Sequence, residues 1–511
     1  VTDGGGRTLE DDLESDFARL RNDVRAALAD EGFGAEQVDL TERVDLRYRG
    51  TETALTLVRH DGDLRAAFEA AHRKRFGYAR PGHAVEVVGV RVDGAGQLGR
   101  AEDIVPPTAA GRVDGRGRLF ASGRWHDEVR ILDRGQLGTE PEAGPLIVVE
   151  ETSTIVVEPD FEVRLDNGTI RLTRVERHDD EVRRSTNLER PDPVTLEIMA
   201  HAFMSIAEQM GAVLQNTALS TNIRERLDFS CAVFDAEGGL VANAPHIPVH
   251  LGAMGETVAS LVRSRPEMKP GQVFVTNDPF AGGSHLPDIT VVSPIFLGGE
   301  KPAFFVANRG HHADVGGITP GSMPPASRSL DDEGVVFRHD VAVEDGELLR
   351  GALREKLEDG LHPARAPDEN LADLEAQLAA NRTGENLLLE LVRARGEPFV
   401  RAYMRHLQAD ATERVQRVIR ELPDGAHRFE DAMDDGTAVI VTVRVDGDAL
   451  TVDFAGTGPQ SDGNLNAPRA VTVAATLYVL RCLVAAPIPL NRGCLEPVTI
   501  RLPPKNLLDP E

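Results

Sequence analysis

The sequence predicts a multidomain protein of the α+β or α/β class, in which a small β-rich domain precedes a large mixed α/β domain. Three observations lead to this prediction. The chain has 511 residues, more than one ordinary domain accommodates. Residues 115–175 form short alternating runs separated by turns, whereas the chain beyond residue 192 mixes helical periodicity with apolar strand-like runs. Hydrophobic residues make up 41% of the chain, which is enough for several cores.

The first part of the chain combines helices and strands. One face of an amphipathic helix is predicted by apolar residues three and four positions apart, namely Leu9, Leu13, Phe17, Leu20, Val24 and Leu28. Segments 43–58 and 84–93 alternate as strands do, and a helix is predicted over 62–76 between them. Farther along, Asn167-Gly168 between two alternating runs predicts a β-hairpin.

A charged, proline-containing stretch without periodicity predicts an exposed linker over 177–192. Asp192 and Pro193 then have the residue types of an N-cap and a first helical position, so we expect a long helix reaching residue 217. Residues 370–422 are predicted to be mostly helical, and 436–457 to form a pair of strands. The domain boundaries that we predict are therefore 1–100, 101–176 and 193–511.

Composition excludes several classes of partner. The net charge of −27 argues against nucleic acid and against an anionic membrane surface. All but five of the 56 basic residues are arginine, which is typical either of a protein adapted to high salt or of a GC-rich genome. Three cysteines without paired spacing, no long apolar run and no signal peptide predict a cytoplasmic location. Because the chain starts at Val1 and its end has no terminal element, we expect it to be a piece of a longer protein.

Two segments dense in His, Asp and Asn predict the functional site, and each lies beside an apolar β-like run. In the first, His285 and Asp288 offer a nitrogen and a carboxylate oxygen, a combination that suits Mn, Fe or Zn. The alternative is that they cap a loop and a turn. In the second, His311 and His312 are adjacent, so at most one of them enters a given site and the other supports it or lies in the core. A surface pair is the alternative.

Further candidates lie near these segments. Glu225 lies between two arginines, so it is either a third carboxylate ligand or a surface ion-pair residue. His246 and His250 either line the same cleft or have structural roles. Arg309 has the chemistry to bind a carboxylate or phosphate, and a structural ion pair is its alternative.

Long motifs in the second part of the chain resemble the B part of the hydantoinase/oxoprolinase family. They are 192–197, 222–230, 244–252, 277–279, 283–288, 308–314 and 380–384. The first 175 residues resemble the C-terminal portion of the family's A part, through the motifs 47–50, 68–72, 76–78 and 144–145. The resemblance implies a remnant of an A-type domain (1–100), a small β-rich domain at the end of the A part (101–176), a linker (177–192) and a C-terminally incomplete B-type domain (193–511). The A-then-B order resembles that of single-chain 5-oxoprolinases.

The resemblance implies ATP-dependent hydrolysis of a five-membered cyclic amide such as 5-oxoproline or a hydantoin. ATP would be bound by an A-type ATPase domain or subunit that is absent from this chain, and the family commonly forms homo-oligomers. One alternative is a component of an ATP-dependent ketone carboxylase. Another is a non-catalytic, truncated metal-binding or assembly fragment.

The resemblance also implies roles for individual residues. In the ketone carboxylase branch a Glu/His/Asp/His set binds the metal, and here it corresponds to Glu225, His285, Asp288 and one of the adjacent histidines, which we take to be His311. The ion expected is Mn, Fe, Zn or Mg. From the chemistry of the side chains, we expect Asp278 or His312 to be the general base of this reaction. We likewise expect Arg309, His246, His250 and Asn277 to hold the substrate.

Overall fold

The computed structural model describes residues 9–51, 53–60, 62–97, 114–121, 124–166, 168–175, 188–244, 247–484 and 490–511. Asn167, His246 and the predicted linker as far as residue 187 lie outside this described part. The chain divides into two compact units. One comprises Val1–Arg21, Thr41–Asp93 and Leu188–Glu511, and the other comprises Asn22–Leu40 and Gly94–Asn187.

The N-terminal elements are α1 (Leu9–Asp30), β1 (Val38–Tyr48), β2 (Leu55–Val58), α2 (Leu64–Phe76) and β3 (Val85–Gly96). The predicted strand over 43–58 is thus two strands, and β1 lies between β2 and β3 in a three-stranded sheet. Helix α2 begins where Asp63 accepts hydrogen bonds from two backbone N–H groups, and it ends at Gly77 in the left-handed conformation. Buried side chains of these elements share one core, including Phe17, Tyr48, Phe68 and Phe76.

The smaller unit holds the predicted β-rich region. Its strands are β4 (Asp114–Ala121), β5 (Arg124–Asp133), β6 (Glu142–Ala143), β7 (Leu146–Val149), β8 (Thr154–Val157), β9 (Phe161–Asp166) and β10 (Thr169–Arg174). They form one sheet in the order β4-β5-β7-β8 and another in the order β10-β9-β6. Asp166 pairs with Thr169, which confirms the predicted hairpin. Leu132, Val148, Val157 and Val163 lie in the shared core.

The central part of the larger unit is built on one sheet. Its elements are α3 (Pro193–Thr217), α4 (Thr221–Arg224), β11 (Phe229–Phe234), β12 (Leu240–Asn243), α5 (Pro248–Ser264), β13 (Val273–Thr276), β14 (Asp288–Ile295), β15 (Phe304–His311), α6 (Leu330–Glu333), β16 (Asp340–Glu344), β17 (Glu347–Leu348), α7 (Arg350–Glu358) and α8 (Pro367–Arg395). The strand order is β12-β11-β15-β14-β13-β16-β17. All neighbouring strands are antiparallel, which gives this sheet α+β character.

Helices cover both faces of the seven-stranded sheet. On one face, Cys231, Val233 and Val306 pack with side chains of α3 and α8. On the other, alternate residues such as Phe234 and Phe305 pack with side chains of α5. Because both faces are buried, β14 is buried at every position, and its sequence is largely apolar instead of alternating.

The C-terminal elements form a smaller sheet. They are α9 (Glu397–Glu421), β18 (Gly425–Ala432), β19 (Ala438–Asp446), β20 (Ala449–Asp453), α10 (Arg469–Leu483) and β21 (Val498–Arg501). The order is β18-β19-β20-β21, with β20 and β21 parallel. The predicted strand pair corresponds to β19 and β20. No helix among the described residues is both long enough and apolar enough to span a bilayer.

Candidate metal centre

The candidate site lies where three adjacent strands of the seven-stranded sheet begin or end. Asp288 is the first residue of β14 and pairs directly with His311, the last residue of β15. Phe229, the first residue of β11, pairs with Gly310, and the His311 N–H donates to the Asp228 carbonyl oxygen at 3.0 Å. The sheet register therefore brings Asp228, Asp288 and His311 to one edge of the site.

His285 reaches the same place through a tight turn that precedes β14. The Asp288 N–H donates to the His285 carbonyl oxygen at 3.1 Å, which closes the turn. The turn is entered through Gly283, where a Cβ atom would lie 2.7 Å from the Asp278 carbonyl oxygen. Only glycine fits this close backbone approach, so the glycine pair of the motif has a steric reason.

Three possible ligand atoms converge at this point. Asp288 Oδ1 lies 3.2 Å from His285 Nε2 and 3.0 Å from His311 Nδ1, and the two nitrogens are 3.2 Å apart. Donors bound at about 2.1 Å to one tetrahedral or octahedral ion are separated by roughly 3.0–3.4 Å. The donor set and its spacing therefore fit a divalent ion. The side chains of His285 and His311 are 37% and 15% exposed, so the group can be reached from solvent.

The other carboxylate oxygen of Asp288, Oδ2, contacts two further side chains. Ser284 Oγ donates to Oδ2, and His250 Nε2 lies 3.2 Å from it. Ser230 Oγ lies 3.2 Å from His250 Nδ1, which fixes the ring. Burial alone would raise the pKa of Asp288, but hydrogen bonds with His250, His285 and His311 outweigh burial and hold it well below its ordinary value. Asp288 is thus an anion in the folded protein.

The pKa of His285 is shifted by the same partner. Burial lowers it, but the hydrogen bond and the charge of Asp288 have the larger combined effect, so the pKa of His285 is raised.

Arg309 lies on β15 two residues before His311 and is fully buried. Its Nε donates to Thr290 Oγ1 at 2.8 Å, and its Nη2 donates to Thr257 Oγ1 at 2.9 Å and to the Gly282 carbonyl oxygen at 3.1 Å. Among the described residues no acceptor lies within hydrogen-bond distance of its Nη1. Burial lowers the pKa of Arg309 to about 10, so it remains a cation. Its contacts tie β15 to the loop that carries His285.

His312 lies on the side of the strand opposite His311, as the alternation of side chains requires. It is fully buried, with Nε2 3.1 Å from Gln377 Oε1 and Nδ1 3.1 Å from Asn370 Nδ2. Burial lowers the pKa of His312, so the ring favours its neutral form. It connects β15 to α8.

Asn277 and Asp278 lie at the end of β13. The Asn277 side chain is buried and bonds to backbone groups, donating to the Leu286 and Val335 carbonyl oxygens and accepting from the Phe337 N–H. The Asp278 carboxylate accepts from the Phe280 N–H at 2.9 Å and lies 3.4 Å from Arg338. Asp278 keeps 9% of its surface exposed.

Two carboxylates near β11 differ in their distance from the three grouped donors, and Glu225 has the surroundings of a surface ion-pair residue. The side chain of Glu225 is 65% exposed and 3.9 Å from Arg224, and it does not join the three grouped donors. Asp228, which sequence reasoning passed over, lies 3.9 Å from both His311 Nδ1 and His250 Nε2. Asp228 directly precedes the apolar run of β11, much as Asp288 opens that of β14, and this position could have identified Asp228 as a candidate site residue.

Comparisons with known proteins agree with this architecture. Residues 192–511 match the family described as hydantoinase B/oxoprolinase. The chain is 41% identical to 5-oxoprolinase 1 of Arabidopsis thaliana, over 99% of this chain and 42% of that protein. It also resembles the ATP-dependent caprolactamase of Pseudomonas jessenii, with a TM-score of 0.58, 26% identity and coverage of 63% of this chain and 56% of that one.

A nucleotide-free acetone carboxylase structure is similar in fold. Its TM-score is 0.56 at 18% identity, over 64% of this chain and 45% of that one. The chain spans about two fifths of the length of the curated 5-oxoprolinases that it matches. Because the family match covers most of the chain and includes the whole site, this chain belongs to the hydantoinase B/oxoprolinase family.

Proposed function

We propose that this chain supplies the metal-binding part of an enzyme that opens a five-membered cyclic amide, such as 5-oxoproline or a hydantoin, in an ATP-dependent reaction. The observation that carries the proposal is the convergence of His285, Asp288 and His311 at adjoining strand ends. Similarity to proteins named 5-oxoprolinase along almost the entire chain supports the choice of reaction.

The chemistry of the donors favours certain ions. Two imidazole nitrogens with one carboxylate suit Mn, Fe or Zn better than Mg, which prefers oxygen ligands. An ion bound there supplies Lewis-acid chemistry toward a carbonyl oxygen or a water molecule. We propose that Asp228 or Glu225 completes the ligand set. Asp228 already lies 3.9 Å from His311, whereas Glu225 would have to move.

The surrounding residues hold these donors in place. Ser284 and His250 engage one oxygen of Asp288, which leaves the other directed at His285 and His311. Such partners orient ligands and raise metal affinity.

Two of the roles expected from the sequence need access to substrate that the buried side chains lack. Arg309 was expected to hold a substrate carboxylate and His312 to act as a base, yet both are fully buried and hydrogen-bonded within the protein. We therefore propose that they position the strand ends. Asp278, which keeps some exposure, is the remaining candidate for exchanging a proton with substrate.

We infer that ATP is bound by an A-type domain or subunit and not by this chain, because the chain spans only about two fifths of the similar 5-oxoprolinases. We also propose a cyclic amide substrate, a homo-oligomeric state and a cytoplasmic location for this protein.

Elemental analysis of the purified chain tests the metal centre. We expect about one Mn, Fe or Zn ion per chain, lost in His285→Ala and in Asp288→Asn. His201→Ala, which changes an exposed histidine on α3, is the matched control and should keep its ion. Loss of the ion in Asp228→Ala but not in Glu225→Ala would identify the fourth ligand.

The reaction is tested separately by adding an A-type ATPase part and measuring ADP formation that depends on 5-oxoproline or a hydantoin. A wild-type chain that binds no metal after reconstitution would refute the metal centre. A metal-loaded chain that supports no such ADP formation would instead indicate a non-catalytic fragment. ADP formation that requires a ketone and bicarbonate would indicate a carboxylase.

A further inference from the structure

Strand β18 has an unusual surface for a strand of eight residues. Every one of its residues is exposed, and Phe429 is 64% exposed. It is the outermost strand of its sheet, and no other described strand pairs with its outer edge. An edge of this kind presents unpaired backbone N–H and C=O groups to solvent.

The backbone directions of β18 follow from the hairpin that joins it to β19. The Met433 N–H donates to the Thr437 carbonyl oxygen at 2.9 Å, so residue 433 directs its backbone groups at β19. The direction of the backbone N–H and C=O groups alternates along a regular strand. The backbone groups of odd-numbered residues therefore point toward β19, and those of residues 426, 428, 430 and 432 point outward. Consistent with this, the Ala432 N–H bonds to the Asp431 carboxylate at 2.8 Å and not to a strand.

The sequence of this edge is self-complementary in charge. Two basic side chains precede Phe429 and two acidic side chains follow it, in the order Ala426-His427-Arg428-Phe429-Glu430-Asp431-Ala432. If two copies of the strand pair antiparallel about Phe429, Arg428 of each copy faces Glu430 of the other. His427 likewise faces Asp431. We propose that β18 is a homodimerisation edge that pairs with β18 of a second copy of this chain around a two-fold axis.

The backbone pattern agrees with this register. Arg428 and Glu430 both face outward, so they would form the hydrogen-bonded pairs of the new ladder. Phe429 faces β19 and would form a non-hydrogen-bonded pair with its counterpart, in which Cα atoms approach to about 4.5 Å. The two exposed rings would then contact each other across the axis, a favourable cross-strand pair.

Charged residues usually protect an edge strand from pairing, and here they select one register instead. The residues whose backbone groups point outward are even-numbered, so any alternative register between the two copies must be shifted by two residues. A step in one direction places Arg428 opposite Arg428, and a step in the other places Glu430 opposite Glu430. Both place like charges opposite each other, which is destabilising. A two-fold contact requires such a self-complementary patch.

Sedimentation velocity over a wide concentration range tests the proposal. We expect a reversible monomer–dimer equilibrium, because one strand edge is a small interface. Arg428→Glu and Glu430→Arg should each weaken self-association by at least about tenfold, since two symmetric pairs change from attraction to repulsion. The double variant with both changes restores opposite charges and should associate to within about threefold of the wild type.

Arg417→Glu is the matched control, because Arg417 forms an exposed ion pair with Glu413 on α9, much as Arg428 does with Glu430 on β18. Amide hydrogen exchange of residues 426–432 should slow as the concentration of the wild-type chain rises. Far-ultraviolet circular dichroism of each variant checks that the fold is kept. A chain that is monomeric at all concentrations overturns the proposal. So does a dimer that is insensitive to both single charge reversals.

Discussion

Folding should become less favourable as the pH falls through the range in which His72 titrates in the unfolded chain. His72 lies on α2 with only 6% of its surface exposed, and its ring contacts those of Tyr48, Phe68, Phe76 and Tyr78. Burial lowers the pKa of His72 from 6.5 to about 4, although its Nδ1 lies 2.8 Å from the Tyr78 carbonyl oxygen. The neutral ring donates this hydrogen bond and fits the aromatic pocket without charge.

The size of the effect follows from the two pKa values. Between pH 6.5 and about 4 the unfolded chain binds a proton that the folded chain does not, so the free energy of unfolding rises with pH there. Each unit of pKa difference corresponds to about 1.4 kcal/mol. Lowering the pH from about 7.5 to about 5 should therefore remove about 2 kcal/mol through His72 alone. The contribution is fully present above pH 6.5 and is lost as the pH falls toward 4.

Urea unfolding of the wild type and of His72→Asn at both pH values measures this contribution. Asparagine keeps a donor for the Tyr78 carbonyl oxygen but does not titrate, so its free energy of unfolding should fall by about 2 kcal/mol less than that of the wild type. His201→Asn, at an exposed position, should follow the wild type. An identical loss in the wild type and in His72→Asn would show that the buried ring does not set the pH dependence.

Three further predictions concern the scaffold. Arg80 and Glu375 form an ion pair at 3.0 Å with side chains only 5% and 6% exposed. Arg80→Met should lower the free energy of unfolding by about 3 kcal/mol in urea, and adding Glu375→Leu should recover part of it. Gly252→Ala places a Cβ atom 2.4 Å from Ala474 Cα, so a loss of about 2 kcal/mol or more is expected in thermal unfolding, and an unchanged midpoint would contradict the close packing of α5 and α10. Asp192→Ala removes the cap of α3 and should cost about 1 kcal/mol, with Asp192→Asn much milder, as measured by urea unfolding.

Signals carried by neighbouring residues, such as helix caps, apolar spacing and turn residues, predicted several helices and a hairpin of this protein well. Asp192 and Pro193 define the start of α3, and the predicted end at residue 217 matches the structure. The apolar spacing in α1 and the Asn-Gly turn between β9 and β10 were equally informative. Strand β18 was not predicted, because all its residues are exposed and carry no alternation between buried and exposed positions.

The sequence by itself determined which residue types are available for chemistry and that His285, Asp288 and His311 lie at or near the ends of apolar runs. Only the tertiary structure decided which of them meet. Asp288 and His311 are 23 positions apart, and the antiparallel register of β14 and β15 places them opposite each other. The same register brings Asp228 beside His311 and turns His312 toward α8. Side-chain direction and burial at strand ends depend on pairing and on both covered faces of the sheet, and these long-range contacts have no local sequence signal.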